Sequence, residues 1–304
     1  LVTGGSGFIG SHISKLLLNL NYKVVVYDNN FRNKNISYLK KFNNCKLITG
    51  DIRNQKKLFK AAYNIDAVIH LAYINGTKYF YEKPEIILDV AIKGLVNIFD
   101  GCKKFKIKEL YLASSSEVYQ TPLKTPTKEN EMLKIPDIYN PRYSYGGGKI
   151  LTELMGINYG KKYFKKLIIF RPHNVYGLDM GQEHVIPEFI NRMQKLKNKL
   201  FKIQGSGKEI RSFIFIEDFV EAFDLILKKG KHLNIYNIGT KEKITITELA
   251  KKISQIFRKK IIIKKSALKK GSTKIRIPDI KKIEKLGFKP KNSLNKGLKK
   301  IINI

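Results

Sequence analysis

Tyr145 and Lys149 stand four residues apart in the stretch YSYGGGK, a spacing that places both side chains on one face of a helix. An ammonium beside a phenol favours the phenolate, so Lys149 is expected to draw a tyrosine pKa of about 10 towards neutrality and make Tyr145 a general base. The three glycines between them cost a helix roughly 1 kcal/mol each relative to alanine. The expectation is that their missing side chains leave room for cofactor or substrate against the backbone. Taken alone, the pair reads better as a surface tyrosine and lysine on an amphipathic helix, and the motifs around it change that.

The first of these is TGGSGFIGS, residues 3–11. Gly4 and Gly5 suit a turn after a strand, Gly7 lets a pyrophosphate approach the backbone, and Gly10 lets the next helix pack against the sheet. Asp28 ends the second strand 18 residues after Gly10. Its carboxylate can accept from both ribose hydroxyls and would repel a 2'-phosphate, which favours NAD over NADP, although Arg32 lies close by. The positive ring of bound NAD would add to the pull of Lys149 on Tyr145. Asp51 ends the third strand and either receives the adenine amino group or caps the following helix.

Elements of the right kind surround these residues. Apolar, β-branched runs at KVVVYD, CKLITGD, DAVIHLA, KELYLASS and KLIIFRP read as buried parallel strands, with helical periodicity over 8–20, 54–62, 84–104 and 145–163. Beyond residue 175 shorter elements are predicted: a helix over 185–198, a strand at RSFIFI, a helix over 218–228, a strand at IYNIG, and a helix opened by a capping box from Thr245 to Glu248. The fold class is therefore α/β, a Rossmann-type doubly wound parallel sheet with a smaller α/β C-terminal substrate domain. Residues 1–175 are assigned to the NAD-binding domain, its first strand truncated because the chain opens at Leu1 on the glycine motif. Residues 176–304 mainly form the substrate-binding domain, with some segments returning to the first.

Composition excludes several classes. The net charge of +34 would suit nucleic acid, but only eight of the 59 basic residues are arginine and the lysines are spread over the whole length. Nucleic acid is accordingly not an expected partner. No apolar run has the roughly 20 residues of a membrane span, and no signal sequence opens the chain, so a cytoplasmic location is expected. Cys45 and Cys102, without metal-ligand spacing, suggest neither a disulfide framework nor a metal site.

Together with HLA (70–72), SSSEVY (114–119), RPHNVYG (171–177), GSGKEIRSFIFIED (205–218), YNIG (236–239) and PDIKKIEKLGF (278–288), these motifs resemble the extended short-chain dehydrogenase/reductase superfamily, in its NAD-dependent nucleotide-sugar epimerase and dehydratase branch. The resemblance covers nearly the whole chain. It implies NAD as cofactor, a nucleoside diphosphate sugar as substrate, and a homodimer formed through helices. By the same resemblance Tyr145 takes the sugar hydroxyl proton, Lys149 assists it and holds the nicotinamide ribose, and Ser115 shares the hydrogen bond to that hydroxyl. Further cofactor contacts are implied at Phe8, Ile9, Ile52, Leu71, Ala72 and Pro172, beside Gly4, Gly7, Gly10, Asp28 and Asp51. His173 is either a further cofactor neighbour or a satisfied structural histidine. Asn174, Arg211 and Arg276 resemble ligands of the substrate diphosphate, and Val185, in HVIPEF, belongs to the segment over the nucleotide base.

Ser116 and Glu117 bear on the reaction. Dehydratases of the superfamily carry an Asp-Glu pair here, and the missing aspartate argues against 4,6-dehydration. Ser-Glu before Val-Tyr resembles uronate decarboxylases, though several epimerase-like subfamilies share it; Glu117 also reads as a polar contact to backbone or ribose. Gln120 and Ala91 depart from the usual glycine and asparagine. The leading expectation is an epimerase acting through a transient 4-keto sugar with bound NAD recycled. A UDP-glucuronate-type decarboxylase or a 4,6-dehydratase is the alternative, and a non-catalytic NAD sensor or RNA-binding relative the third reading.

Overall fold

A computed structural model describes residues 1–32, 36–268 and 270–302. The first half runs β1 (Val2–Thr3), α1 (Phe8–Asn19), β2 (Val24–Asp28), β3 (Cys45–Thr49), α2 (Gln55–Ala62), β4 (Ala67–His70), α3 (Thr77–Glu82), α4 (Pro84–Lys104), β5 (Glu109–Ala113), α5 (Tyr143–Tyr163) and β6 (Lys166–Pro172). It continues with β7 (Val175–Tyr176), α6 (Val185–Gln194), β8 (Leu200–Gln204), β9 (Ile210–Arg211), β10 (Ile214–Phe215), α7 (Ile216–Lys229) and β11 (Asn234–Ile238). The last elements are β12 (Ile244–Thr245), α8 (Ile246–Ile256), β13 (Ile262–Ser266), β14 (Ile275–Arg276), α9 (Lys281–Glu284) and α10 (Leu294–Ile302).

Seven parallel strands form one sheet in the order β11-β6-β5-β4-β1-β2-β3. Strands covered by helices on both faces need apolar residues at every position, which explains the unbroken runs in the sequence. Leu110, Leu112, Leu167 and Ile169 point into one apolar cluster, with Leu58, Leu95 and Phe99. Their alternating neighbours Tyr111, Ala113, Ile168 and Phe170 point into the other, with Ile13, Phe219 and Phe223. The sheet is thus the doubly wound α/β fold expected. Its strand order reverses between β1 and β4, and the crevice beyond their C-terminal ends is where such sheets bind ligands.

Two elements differ from the sequence reading. RSFIFI is not one strand: β9 pairs with β12 and β14, while β10 pairs with β7 in another sheet. Between them Ser212 turns its hydroxyl onto the Thr240 carbonyl at 2.5 Å, and that side-chain bond interrupts the run. The helix over 185–198 ends at Gln194. The capping box forms, with Glu248 N donating to Thr245 Oγ1 at 3.1 Å and Thr245 N to Glu248 Oε2 at 2.8 Å. β9 and β14 lie in parallel register with Arg211 opposite Arg276, so the small sheet sets two arginines side by side.

Candidate active site

Gly4, at φ +70°, turns the chain out of β1, and a Cβ there would lie 2.5 Å from the Ala72 amide nitrogen. A Cβ at Gly10 would overlap the Gly4 carbonyl oxygen, so α1 can approach the turn only because residue 10 has none. Gly7 caps α1 without a side-chain hydrogen bond, and the first turn of the helix holds no acidic residue. An anion at this helix N-terminus would meet the positive end of α1 with no opposing carboxylate in its first turn. Asp28 ties β2 to the same turn by accepting from Ser6 N at 3.0 Å. The cradle fits a dinucleotide pyrophosphate, and Phe8, Ile9, Asp28, Asp51, Ile52, Leu71, Ala72 and Pro172 all line the same cleft. Because the obstacle at Gly10 is backbone, Gly10→Ala is expected to cost about 1–3 kcal/mol of stability and to weaken NAD binding at least tenfold, as read by thermal melts and an NAD titration.

Asp51 does not cap α2. Asn54 does, accepting from Lys57 N at 3.0 Å, while Asp51 is held by Arg53 and Asn29. The Arg53 hydrogen bonds bring its carboxyl down to about 2, so it meets the cleft as a fixed anion. Arg32 pairs with Glu183 at 2.7 Å and donates to the Asn75 carbonyl, which commits it away from a 2'-phosphate.

At the other end of the cleft lie Ser115, Tyr145 and Lys149. The Tyr145 ring is stacked on Phe80 at 4.9 Å and met edge-on by Tyr73 at 5.1 Å. Lys149 Nζ donates to the Ala113 carbonyl at 2.7 Å. Here the electrostatic expectation is corrected: burial pushes the Tyr145 phenol up to about 12, against a hydrogen bond from Ser115. Burial also brings Lys149 down to about 7, with Glu153 opposing. Desolvation outweighs Ser115 at the phenol and Glu153 at the ammonium in the protein alone, so α5 supplies the geometry of a base before its charge state.

The glycine triplet also has another purpose than the one expected. A Cβ at Gly146 would overlap the Gln120 side-chain amide, one at Gly147 would lie 3.1 Å from Ile135 Cδ1, and one at Gly148 would overlap the Tyr73 hydroxyl. Protein side chains fill the spaces. Gln120 itself takes φ +49°, a conformation suited to the glycine that is usual there, and Ala91 would lie 2.8 Å from the Gly148 Cβ. Both departures in sequence thus pack against the triplet.

Glu117 is held by two bonds from Arg276, at 2.8 and 2.9 Å, with Arg142 at 3.7 Å. Burial raises its pKa, but Arg276, Arg142 and Arg211 together outweigh that, and the net shift is downward. Arg211 donates to the carbonyls of Ile210, Thr273 and Lys274. Burial, then the charge of Arg276, brings its own pKa down to about 9. Three guanidiniums around one carboxylate form a positive floor suited to an anion.

Asn174, Ser116 and Arg276 line the cleft as expected, but three residues do not. His173 is buried, with Nε2 3.2 Å from Asn237 Oδ1 and Nδ1 without a hydrogen-bond partner, a structural position that only half satisfies the ring. Val185 opens α6, leaving His184 to face the cleft, and Arg211 stands behind Arg276. Arg142 and Tyr73 were missed. Arg142 had a signal, as a rare arginine one helical turn before Tyr145. Among the described residues no cluster of His, Cys, Asp or Glu could hold a metal, and no helix is long and apolar enough to cross a membrane.

Residues 1–239 match the family described as the NAD dependent epimerase/dehydratase family. The chain belongs to that family. Its relatives include a putative UDP-glucose 4-epimerase of Methanocaldococcus jannaschii, 34% identical over all of this chain and 97% of that protein. A dTDP-D-glucose 4,6-dehydratase of Dictyostelium discoideum is 35% identical over 84% of this chain, and the match spans 61% of that longer protein. Among solved structures, a UDP-glucose 4-epimerase from Thermotoga maritima with UDP-glucose superposes at a TM-score of 0.88, with 27% identity, over 99% of this chain and 96% of that one.

Proposed function

We propose that the chain is a nucleotide-sugar 4-epimerase that works through a transient 4-keto sugar and recycles bound NAD. The carrying observation is the contrast between Ser115, Tyr145 and Lys149, which converge in the cleft, and Glu117, which is locked on Arg276 as a carboxylate. Tyr145 takes the proton of the C4 hydroxyl, Ser115 orients that hydroxyl, and Lys149 stabilises the phenolate. NAD, which Gly4, Gly7, Asp28 and Asp51 would hold along the cleft, would supply reversible hydride chemistry at C4. Arg276 holds the diphosphate with Asn174 beside it, and Arg211 adds its charge from behind Arg276. Eliminating a C6 hydroxyl needs a proton donor near C6, and Ser116 and an ionised Glu117 are poor ones.

A second reading, decarboxylation of a nucleotide-linked uronate, is favoured by the two guanidiniums beside Glu117, which offset the repulsion a substrate carboxylate would meet there. An NMR time course with UDP, GDP, CDP and dTDP sugars, UDP-glucuronate included, separates them. An isomer of equal mass supports the epimerase; loss of CO2 with no net NADH transfers the assignment to the decarboxylase.

The homodimer is proposed to form through α4, where Leu88, Ile92 and Val96 recur every four residues and remain 38%, 44% and 38% exposed. Ile92→Glu is expected to shift the protein to monomers in sedimentation velocity, whereas an unchanged sedimentation coefficient would move the interface elsewhere.

A further inference from the structure

Tyr73 follows β4 and lines the cleft between the cofactor cradle and the catalytic residues. Lys149 Nζ stands 3.8 Å from the centroid of its ring, well within cation–π range. The ring edge meets Tyr145 at 5.1 Å. Its hydroxyl is buried without a hydrogen-bond partner and occupies the notch that Gly148 leaves open. A buried unpaired hydroxyl costs free energy, so the hydroxyl does not explain why this ring lies here. The ring face does.

We propose that Tyr73 is a positioning residue of the catalytic centre, whose ring is the platform that holds the Lys149 ammonium in place and charged, and that Gly148 is glycine to admit it. Lys149 is otherwise poorly supported. From α5 it faces Glu153, whose carboxylate is committed to Arg171 and Ser114, and the Tyr145 ring at 5.9 Å; from β5 it has the Ala113 carbonyl; from β4 it faces His70, bonded to Thr3. Burial already draws its proton off near neutrality, so an attraction worth about one pH unit decides its charge under working conditions. The sign follows: Lys149 loses its proton as pH rises, and losing the platform brings that loss to lower pH.

This inference rests on the proposed role of Lys149, and its test reads the lysine rather than turnover, so that a wrong reaction assignment and a wrong platform give different results. In protein labelled with 13C-lysine, the Lys149 ε-carbon, identified by its loss in Lys149→Arg, is titrated with and without NAD. Tyr73→Leu is expected to lower the titration midpoint by about one pH unit, and Tyr73→Phe to leave it in place while raising the melting temperature. A Tyr73→Leu midpoint equal to that of the parent overturns the proposal. Should Tyr73→Leu fail to fold, Gly148→Ala supplies the second arm. The added methyl meets Ala91 in either background but overlaps the hydroxyl only when residue 73 is tyrosine. Gly148→Ala is expected to lower the midpoint and Tyr73→Phe to restore it in the double variant; the same midpoint in both variants also overturns the proposal.

Discussion

Tyr145→Phe is expected to reduce turnover at least about 100-fold, the scale of a lost general base, while NAD affinity and melting temperature change little. The ring is fixed by Phe80 and Tyr73, and phenylalanine fills the same slot with the same contacts. What disappears is the oxygen that Ser115 meets. That oxygen holds its proton up to about 12 in the protein alone, so it can act near neutral pH only when Lys149 and the oxidised nicotinamide add positive charge beside it. Lys149→Met should lower turnover in parallel and also weaken NAD, since the family resemblance implies that the ammonium holds the nicotinamide ribose. Turnover by NMR and NAD binding by calorimetry check both variants. Unchanged turnover in Tyr145→Phe removes the residue from the chemistry; equal loss of turnover and NAD affinity makes it a cofactor ligand.

Whether an element was legible depended on whether its cause lay within a few residues. The central parallel strands were visible because they are buried on both faces and show it in consecutive apolar positions, as β6 does over KLIIFRP. The glycine turn was visible because Gly4, Gly7 and Gly10 answer to local constraints on backbone shape and helix approach. Side-chain complementarity between distant segments was not. Gly148 answers to Tyr73, 75 positions earlier, and Gly146 to Gln120, so the glycine triplet suggested ligand space where neighbouring side chains fill it. The break in RSFIFI is set by Thr240, and no periodicity of the segment itself records that partner. Charge was misread for a related reason. An i, i+4 spacing displays the attraction between an ammonium and a phenol but not the burial that opposes both charges, to which segments distant in sequence contribute, as Phe80 does where it stacks on Tyr145.

Glu117→Gln should have the other large effect, and its several consequences point in different directions. The Glu117 side chain is 17% exposed and that of Arg276 10%, so the amide would leave a mostly buried guanidinium without its counter-charge at a cost of about 3 kcal/mol. The pH dependence identifies that cost. Glu117 has its pKa depressed by the guanidiniums, so its contribution is present above the ordinary glutamate value near about 4.3 and is lost as pH falls through the depressed one. Melting temperatures of the parent and the glutamine variant should therefore differ most at pH 7 and converge in acid. The freed Arg276 then faces the cleft with uncompensated charge, with Arg142 buried close behind position 117, so UDP should bind several-fold more tightly to the variant even though the variant is less stable. Oxidation and reduction at C4 need Ser115, Tyr145 and Lys149, and should survive within about tenfold, whereas any step that moves a proton at C5 should be abolished. Loss of both chemistries together, with UDP affinity unchanged, would mean that the Glu117 and Arg276 pair acts only by shaping the pocket. Tighter UDP binding with C4 chemistry intact would show the same pair restraining the anion site, with Glu117 keeping Arg276 off the diphosphate until substrate competes for it.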